Sequence, residues 1–498
     1  IVMWSLGNEA GGTHNTDKEY EYLKTHSLLP VHYESAIHTK RKAYDVASEM
    51  YPPSERVHEI GEKKYKIKQL CDRPYFLCEY AHAMGVGPGG MEDYWKEIYN
   101  YDSLIGGCVW EMADHAVLHE DGSYTYGGDH GEWEHDGNFC VDGMFYPDRT
   151  PSAGAKIIKF IYRPIRLRHL FGDVFELFNT TAFSDGDRYQ MIVTWNDGTT
   201  VDVPVTAGPL QKVRVTVPLG AEVNGTQIAD VVVKDKKADA VVSEGSIILK
   251  QAGIPAPTAT NFPAEASVEN GRFTLKLPNG KTLTTADEGT LLYRAGTDND
   301  SIFGIYSNMP PYYGQKEALK SCEKTASGYK VVSEVKNRIA KYLVEDLYEG
   351  TAEGILVTSR IHKTVGVGTL PRFAKSFRLD ESFDDVTYTA RTGESYADMK
   401  EQFPIRTVSC KVADMTEPNI RPQESGNRCD CTCAAVSDGS TTVTFEAVEK
   451  PFELNIKPYT DEALKHMRHR EDEVRTGTYV TINAFQMGIG TGACGPGI

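Results

Sequence analysis

The sequence predicts a multidomain protein in which a parallel α/β sheet is followed by two antiparallel β-sandwiches. Three observations support this fold class. The 498 residues exceed what one hydrophobic core usually serves. Up to residue 164, short apolar runs alternate with helix-like stretches, which is typical of a parallel sheet. Beyond residue 164, strand-like runs alternate with turn signals and helix-like stretches are rare.

The α/β part, residues 1–164, is predicted to contain about five parallel strands. The apolar runs that indicate them are Trp4–Leu6, Val31–Tyr33, Ser48–Tyr51, Tyr75–Cys78 and Gly107–Trp110. Helical spacing predicts helices over Asp17–Lys24, Glu62–Leu70 and Met91–Tyr99. In parallel sheets, open or closed, the chemistry lies at the carboxyl ends of the strands, so polar residues there become the candidates.

In the rest of the chain, strand-like runs separated by turn signals predict two β-sandwiches joined by a linker. Runs such as Tyr189–Trp195, with turn signals such as Asn196-Asp197-Gly198, indicate a small antiparallel sandwich over residues 165–256. Ile254–Pro263 is rich in proline, alanine and threonine and is interpreted as a linker. Residues 257–498 again alternate strand-like runs with turns and contain hardly any helix-like stretch, which predicts a larger β-sandwich.

Composition narrows the class of protein. The chain is 40% hydrophobic and 25% charged, with a net charge of −17, which argues against nucleic acid or an anionic membrane as a partner. No apolar run approaches the length needed to cross a bilayer. The ten cysteines are spread along a long chain, so we expect reduced thiols and a cytoplasmic location.

Two carboxylates follow predicted strands directly. Glu9 comes after Trp4-Ser5-Leu6-Gly7-Asn8, and Glu79 comes after Tyr75–Cys78. Either acid alone would be interpreted as a solvated loop residue. As a pair on one edge of a sheet they fit glycosidic bond cleavage, in which one group protonates the leaving oxygen and the other attacks the sugar. Nearby groups suited to stacking on sugars and to bonding hydroxyls are Asn8, Tyr51, His82 and Trp110.

A competing motif is the glycine-rich stretch Gly85–Gly90, which satisfies the dinucleotide-binding spacing between a strand and a helix. Tyr80–Met84 separate it from the end of the strand, and Pro88 removes a backbone donor that a phosphate cradle needs. We therefore interpret the stretch as backbone that bends closely around the sheet edge.

Motifs spread over the whole chain carry a family resemblance. They are Trp4–Glu9, Cys78–Gly85, Tyr126–Asp129, Asn138–Gly143, Pro147–Pro151, Arg294–Asp300, Arg421–Arg428 and Gln486–Gly490. Together they closely resemble the large bacterial β-galactosidases of glycoside hydrolase family 2. The resemblance implies that residues 1–164 are the second half of a (β/α)8 TIM barrel. Residues 165–256 would be an immunoglobulin-like sandwich, and residues 257–498 the family's small-chain domain, clipped at its end.

The resemblance also implies a reaction and its residues. The reaction is retaining hydrolysis of terminal β-D-galactose from β-galactosides such as lactose. Glu9 would be the acid/base and Glu79 the nucleophile. Asn8 would bond the sugar 2-hydroxyl, Tyr51 would assist the nucleophile and His82 would contact galactose. Trp110 would form the floor of the pocket.

Two metals and a partner are implied in the same way. Magnesium would bind Glu9, and sodium would bind Asp142 and the backbone carbonyl of Phe139. Because the other magnesium ligands of the family would precede Ile1, we expect the magnesium site to be incomplete in this chain. We expect the isolated chain, without the amino-terminal half, to be inactive, and the intact enzyme to be a homo-oligomer.

Alternatives remain open at this point. The chain could have another family 2 specificity, of the β-glucuronidase type, or could be a non-catalytic carbohydrate-binding or assembly module. Asp142 stands where some family members have asparagine, and Cys494 falls near a tryptophan that shapes the leaving-group side in the family. These departures leave the leaving-group preference and the sodium site open.

Overall fold

The computed structural model describes residues 1–12, 14–302, 306–307 and 312–494. The chain divides into two compact units, each described here by itself. The first unit combines Ile1–Tyr162 with two later segments, Asp298–Tyr306 and Gly488–Ile498. The second unit contains Arg163–Thr297 and Ser307–Met487. Two stretches that are distant in sequence therefore join the amino-terminal part of the chain.

Residues 1–162 alternate strands with helices. The strands are β1 (Trp4–Ser5), β2 (Val31–His32), β3 (Ala47–Met50), β4 (Tyr75–Tyr80), β5 (Leu104–Val109), β6 (Val117–Leu118) and β7 (Tyr124–Thr125). The helices are α1 (His14–His26), α2 (Ser54–Gly61), α3 (Lys68–Cys71), α4 (Met91–Ile98) and α5 (Ala153–Ile161), with a short 3-10 turn at Ala36–His38. No helix among the described residues has both the length and the apolar composition needed to cross a membrane.

The first five strands follow one another in a parallel arrangement. β1 pairs with β2 in parallel, and β3, β4 and β5 form a parallel sheet with β4 in the middle. The amide of Val46, just before β3, donates to the carbonyl of Val31 in β2 at 3.1 Å, so the two sheets adjoin. The predicted parallel strands are confirmed, and their carboxyl ends point the same way.

Two of the three predicted helices are confirmed, and one is wrong. α1 and α4 contain the predicted segments Asp17–Lys24 and, up to its last residue, Met91–Tyr99. Of the predicted helix over Glu62–Leu70 only the last three residues are helical, in α3, because α2 already ends at Gly61. α2 begins after Pro53, whose fixed φ suits a helix start, and the left-handed conformation of Lys63 (φ 60°) prevents its continuation.

The beginning of the second unit is a pair of antiparallel sheets. Its strands are β8 (Ile165–Phe171), β9 (Val174–Asn179), β10 (Tyr189–Trp195), β11 (Thr200–Val203), β12 (Lys212–Thr216), β13 (Gln227–Asp235) and β14 (Ala240–Lys250), with a 3-10 turn at Gly186–Arg188. One sheet has the order β11-β10-β13-β14 and the other has the order β12-β9-β8. Alternate residues of β10, namely Met191, Val193 and Trp195, are buried in a core that also contains Phe175 and Leu177 from β9. The expected change to antiparallel β-structure is confirmed.

The rest of the chain is almost entirely strand. The strands are β15 (Ala259–Thr260), β16 (Ala266–Glu269), β17 (Arg272–Lys276), β18 (Thr282–Leu291), β19 (Ser301–Ile302), β20 (Tyr306–Ser307), β21 (Lys316–Lys324), β22 (Gly328–Lys336), β23 (Ala340–Thr351), β24 (Ile355–Gly366), β25 (Arg372–Leu379), β26 (Asp385–Arg391), β27 (Ile405–Lys411), β28 (Arg428–Cys431), β29 (Cys433–Ser437), β30 (Thr442–Glu446), β31 (Phe452–Lys457) and β32 (Thr478–Gln486). One short helix, α6 (Asp461–Leu464), and 3-10 turns at Asp298–Asp300, Val412–Met415 and Arg470–Asp472 complete the described elements.

These strands form three principal sheets. Their orders are β16-β17-β18-β25-β32-β31-β28, then β27-β26-β29-β30, and β15-β23-β22-β21 with β24 on the other side of β23. The side chains between them form one large core, in which the rings of Phe273 and Tyr348 stack with centroids 5.1 Å apart. The division of the chain into three domains stays a prediction.

A buried network of charges joins elements of the second unit. Lys457 donates to Glu424 at 2.6 Å and also bonds Asp461, which in turn accepts from Arg372 at 2.5 Å. All four side chains are at most 3% exposed. Burial alone would raise the pKa of Asp461, but Lys457 and Arg372 lower it below its ordinary value. The opposed charges therefore compensate one another inside the unit.

We predict that Lys457→Met destabilises the chain by about 3–5 kcal/mol, because two buried carboxylates lose their shared partner. Urea denaturation followed by circular dichroism measures the change. Lys250→Met is the matched control, since Lys250 pairs with Glu222 at 2.7 Å on the surface, where such a pair contributes little. Equal destabilisation by the two substitutions would contradict the prediction.

Candidate active site

The predicted site residues lie where the parallel strands end. Tyr51 directly follows β3, and Trp110 directly follows β5. Glu79 is the penultimate residue of β4, and His82 lies two residues beyond that strand. Glu9 follows β1 after a short turn. Because these strands are parallel, the residues at their carboxyl ends belong to one edge of the sheet.

The chain turns sharply at three of these strand ends. Glu9, Tyr51 and Ala81 have φ angles of 48°, 47° and 53°. These angles lie in the left-handed region, which residues other than glycine rarely adopt. The amide of Tyr51 donates to the carbonyl of Glu79 at 2.8 Å, which fixes one of these turns against the neighbouring strand. Residues held in this way are common at functional sites.

The surroundings of Glu79 place its pKa above the ordinary value. Burial has the largest effect, and the charges of Glu9 and Glu34 add to it. The hydroxyl of Tyr51 donates a hydrogen bond to the Glu79 carboxylate. This bond and the charge of His82 have the opposite effect and lower the pKa of Glu79. Glu79 is partly buried, whereas Glu9 is exposed. The two predicted catalytic acids thus occupy different environments, and the charge of Glu9 acts on Glu79.

A second cluster centres on Asp142, which is 3% exposed. Its Oδ2 atom accepts from the indole nitrogen of Trp110 at 3.0 Å and lies 3.3 Å from Nε2 of His82. Burial lowers the pKa of His82, but Asp142 and Cys494 outweigh it and raise that pKa to about 9. His82 is therefore charged at neutral pH. The ring of Phe139 lies 5.9 Å from the His82 ring.

The same cluster contains oxygen atoms suited to a cation. Oδ1 of Asp142 is buried and finds no hydrogen-bond donor among the described residues. Glu111 lies beside it, and burial followed by the charge of Asp142 raises the pKa of Glu111. Buried acceptors without donors fit a hard cation such as sodium, whose ligands are oxygens. Asp142 and Phe139, the residues expected for sodium, both contact His82 in this cluster.

The magnesium site, which we expect to be incomplete in this chain, stays a prediction. Among the described residues there is no group of three or more His, Cys, Asp or Glu side chains placed to hold a metal ion. Glu9 is exposed, and one carboxylate does not displace the hydration shell of Mg²⁺. The residues present therefore do not fit a complete magnesium site.

The structure brings most of the predicted residues together and adds two more. Glu79, Tyr51, His82, Trp110, Phe139 and Asp142 are connected by the contacts above, whereas Asn8 lies exposed beside Glu9. Glu34 and Cys494 are the additions. Glu34 directly follows the predicted strand Val31–Tyr33, so the rule that functional residues lie at the carboxyl ends of parallel strands could have identified it. Cys494 reaches Tyr51 and His82 only because Gly488–Ile498 joins the first unit.

Comparison with known proteins gives matches along nearly the whole chain. The family model described as "Glycosyl hydrolases family 2, TIM barrel domain" matches residues 1–167, and "Beta galactosidase small chain" matches residues 258–498. A beta-galactosidase of Staphylococcus xylosus is 29% identical over all of this chain and 55% of its own length. One of Arthrobacter sp. (strain B7) is 30% identical over all of this chain and 56% of its own length. The chain spans about half the length of the curated relatives it matches.

Solved structures are less similar. The apo structure of Bacteroides uniformis beta-glucuronidase 3 is 12% identical, covers 74% of this chain and 50% of its own chain, and has a TM-score of 0.25. A likeness at this level carries no argument about the fold or the function.

We predict that Asp142→Asn lowers the pKa of His82 from about 9 to roughly 6–8, because an adjacent opposite charge contributes about 1–3 pH units. Histidine-selective NMR titration measures this pKa. The folded pKa of wild-type His82 lies above the ordinary value of 6.5. The contribution of the charged His82 and Asp142 pair to folding stability is therefore fully present below about pH 6.5. It is lost as the pH rises through about 9.

Two controls accompany this titration. His119, which is exposed, serves as the reference histidine in the same spectra. Asp142→Asn is also expected to cost more stability near neutral pH than above about pH 9. An unchanged His82 titration would contradict the assignment of Asp142 as its charge partner.

Proposed function

The chain belongs to glycoside hydrolase family 2, and from this premise we propose that it carries the reaction centre of a retaining β-galactosidase. The observation that carries the proposal is that Glu9 follows β1, Glu79 lies at the end of β4, and the two acids are close enough for the charge of Glu9 to act on Glu79. Glu79 is partly buried and bonded by Tyr51, Glu9 is exposed, and the charge of Glu9 acts on Glu79. Two carboxyl groups in unlike environments suit the two roles that retaining hydrolysis requires.

In the first step, Glu79 attacks the anomeric carbon of a β-galactoside and forms a galactosyl ester, while Glu9 protonates the departing oxygen. An attacking carboxylate must be ionised. Burial and the charges of Glu9 and Glu34 raise the pKa of Glu79, whereas the hydrogen bond from Tyr51 and the charge of His82 lower it and so favour the ionised form.

In the second step, Glu9 removes a proton from water, which attacks the anomeric carbon and releases Glu79. Two displacements at the same carbon retain its configuration. The exposure of Glu9 supports this role, because the base of the second step must be reached by solvent.

Binding of the sugar would fall to the groups around Asp142. Trp110 is 39% exposed and offers an aromatic face, while its indole nitrogen is fixed on Asp142. His82, held by Asp142, would donate to a sugar hydroxyl, and Asn8 would bond the 2-hydroxyl. Asp142 and the Phe139 carbonyl would hold a sodium ion, which supplies a ligand position for the sugar 6-hydroxyl. The donor-free Oδ1 atom of Asp142 supports this ligand set.

The charges of this cluster favour galactosides over glucuronides. A glucuronide carries a carboxylate on the carbon that bears the 6-hydroxyl in galactose. The 6-hydroxyl of galactose would donate a hydrogen bond to a carboxylate oxygen in this cluster, such as Oδ1 of Asp142, whereas the carboxylate of a glucuronide has no proton to donate. We therefore propose lactose and related β-galactosides as substrates and a homo-oligomeric enzyme.

We predict that Glu79→Gln abolishes turnover of every β-galactoside, because no nucleophile remains. Glu9→Gln is expected to lower the rate on alkyl galactosides and lactose while sparing the first step with dinitrophenyl galactoside, whose leaving oxygen needs little protonation. The protein is expressed from its full-length coding sequence, and initial rates are measured for both substrates.

Azide provides the control for Glu9. Azide attacks the galactosyl ester without a base, so it is expected to restore turnover of dinitrophenyl galactoside in Glu9→Gln and not in Glu79→Gln. Equal losses on good and poor leaving groups in Glu9→Gln would overturn the assignment of roles. Normal turnover by Glu79→Gln would overturn the proposed function itself.

We further predict that calorimetry of this chain detects no saturable binding of Mg²⁺. A single exposed carboxylate does not compensate for the loss of coordinated water. Glu9→Gln is the matched control, and its heats of dilution are expected to equal those of the wild-type chain. Micromolar binding that disappears in Glu9→Gln would mean that further ligands stand close to Glu9.

A further inference from the structure

The turn that carries Glu9 starts where the backbone pairing of β1 with β2 stops. The amide of Leu6 donates to the carbonyl of His32 at 3.1 Å, which is the last backbone hydrogen bond between these two segments among the described residues. Gly7 follows with a φ angle of 122°, which a residue with a Cβ rarely adopts. Beyond this point the turn needs other contacts to fix its position.

A carboxylate from the end of β2 supplies the next contact. The amide of Glu9 donates to Oε1 of Glu34 at 2.6 Å. Glu34 lies two residues beyond β2, so its side chain continues the pairing of the two strands where their backbones separate. A hydrogen bond to an ionised acceptor is stronger than a neutral one, and it can hold Glu9 in its unfavourable left-handed conformation.

The other end of the turn is anchored from the same region. The hydroxyl of Tyr33, beside Glu34, donates to the carbonyl of Gly11 at 2.8 Å. A Cβ on Gly12 would lie 2.4 Å from the backbone carbon of His38, so the turn packs directly against the chain that follows β2. The turn from Glu9 to Gly12 is thus held at both ends by residues that follow β2.

Glu34 is placed as an anchor rather than as a reacting group. It is 7% exposed, whereas Glu9 is exposed. Oε1 accepts from Glu9, and Oε2 accepts from the hydroxyl of Ser35 at 2.5 Å. Both carboxylate oxygens therefore accept hydrogen bonds from the protein, and the side chain is buried. Its charge nevertheless reaches Glu79.

We propose that Glu34 is a positioning residue for the reaction: its carboxylate fixes the backbone of Glu9 so that the Glu9 carboxyl meets the leaving oxygen of the substrate. The inference rests on the function proposed above and adds to it. Loss of the acceptor would let the turn relax from the left-handed conformation and move the Glu9 carboxyl. A displacement of about 1 Å at a reacting group can cost roughly a hundredfold in rate.

The experiment compares Glu34→Ala with Glu34→Gln in the protein expressed from its full-length coding sequence. Galactosides of phenols that differ in acidity are the substrates, and kcat/KM is measured for each. In Glu34→Ala we expect a loss of roughly a hundredfold for phenyl galactoside and less than about threefold for dinitrophenyl galactoside, because only the former needs the acid. In Glu34→Gln, whose amide oxygen still accepts from Glu9, we expect less than about a tenfold loss for either substrate.

Two further variants separate positioning from a general structural effect. Glu49→Gln is the matched control, because Glu49 is also a buried carboxylate near the end of a strand but accepts from Tyr75 and Arg56. Glu49→Gln is expected to change kcat/KM by the same factor for all substrates. If Glu34→Ala does not fold, Glu34→Met fills the same buried space without an acceptor and takes its place in the comparison.

The outcomes distinguish this inference from the proposed function. Azide is expected to accelerate turnover of dinitrophenyl galactoside in Glu34→Ala, as it does when Glu9 is removed. A uniform loss across the phenols in Glu34→Ala, or a Glu34→Gln variant as defective as Glu34→Ala, would overturn the positioning role while leaving the function in place. A wild-type enzyme inactive on every galactoside would overturn both.

Discussion

The common direction of five parallel strands is the constraint on which the candidate site depends. It brings to one edge residues from β1, β3, β4 and β5 that are far apart in sequence. The strand ends alone do not aim the side chains. At Glu9, Tyr51 and Ala81 the backbone turns through the left-handed region, and contacts such as the bond from Tyr51 to the Glu79 carbonyl hold it there. The parallel strands bring the site residues close together, and the turns orient their side chains.

The gathering of acids at this edge has a chemical consequence. The charges of Glu9 and Glu34 raise the pKa of Glu79, and Asp142 raises the pKa of its neighbour Glu111. A region with excess negative charge stabilises the positively charged, oxocarbenium-like transition state of glycoside cleavage. It would also tend to neutralise the nucleophile that the reaction needs. The charged His82 and the hydroxyl of Tyr51 oppose that tendency at Glu79 itself.

The second unit relies on charge in a different way. Lys457 in β31, Arg372 in β25 and Asp461 in α6 are buried together, and each bonds an opposite charge. Apolar residues of the same volume often give equal or greater stability at such places, so the network contributes mainly by specifying which elements meet. A strand register that separated these charges would leave an ion buried without a partner. In the first unit Glu9 is exposed and Glu79 is partly buried, whereas all four charged side chains of this network are buried.

The sequence by itself determined the parallel strands, helices α1 and α4, the change to antiparallel structure and the pairing of Glu9 with Glu79 as candidates. These features depend on local alternation of apolar and polar residues and on the rule that parallel strands end together. Only the tertiary structure decided the rest. Lys63 ends α2 inside a segment with helical spacing, Glu34 bonds the Glu9 amide across 25 residues, and Cys494 reaches His82 from the far end of the chain. Such contacts depend on packing between residues distant in sequence, and no local pattern records which of them will meet.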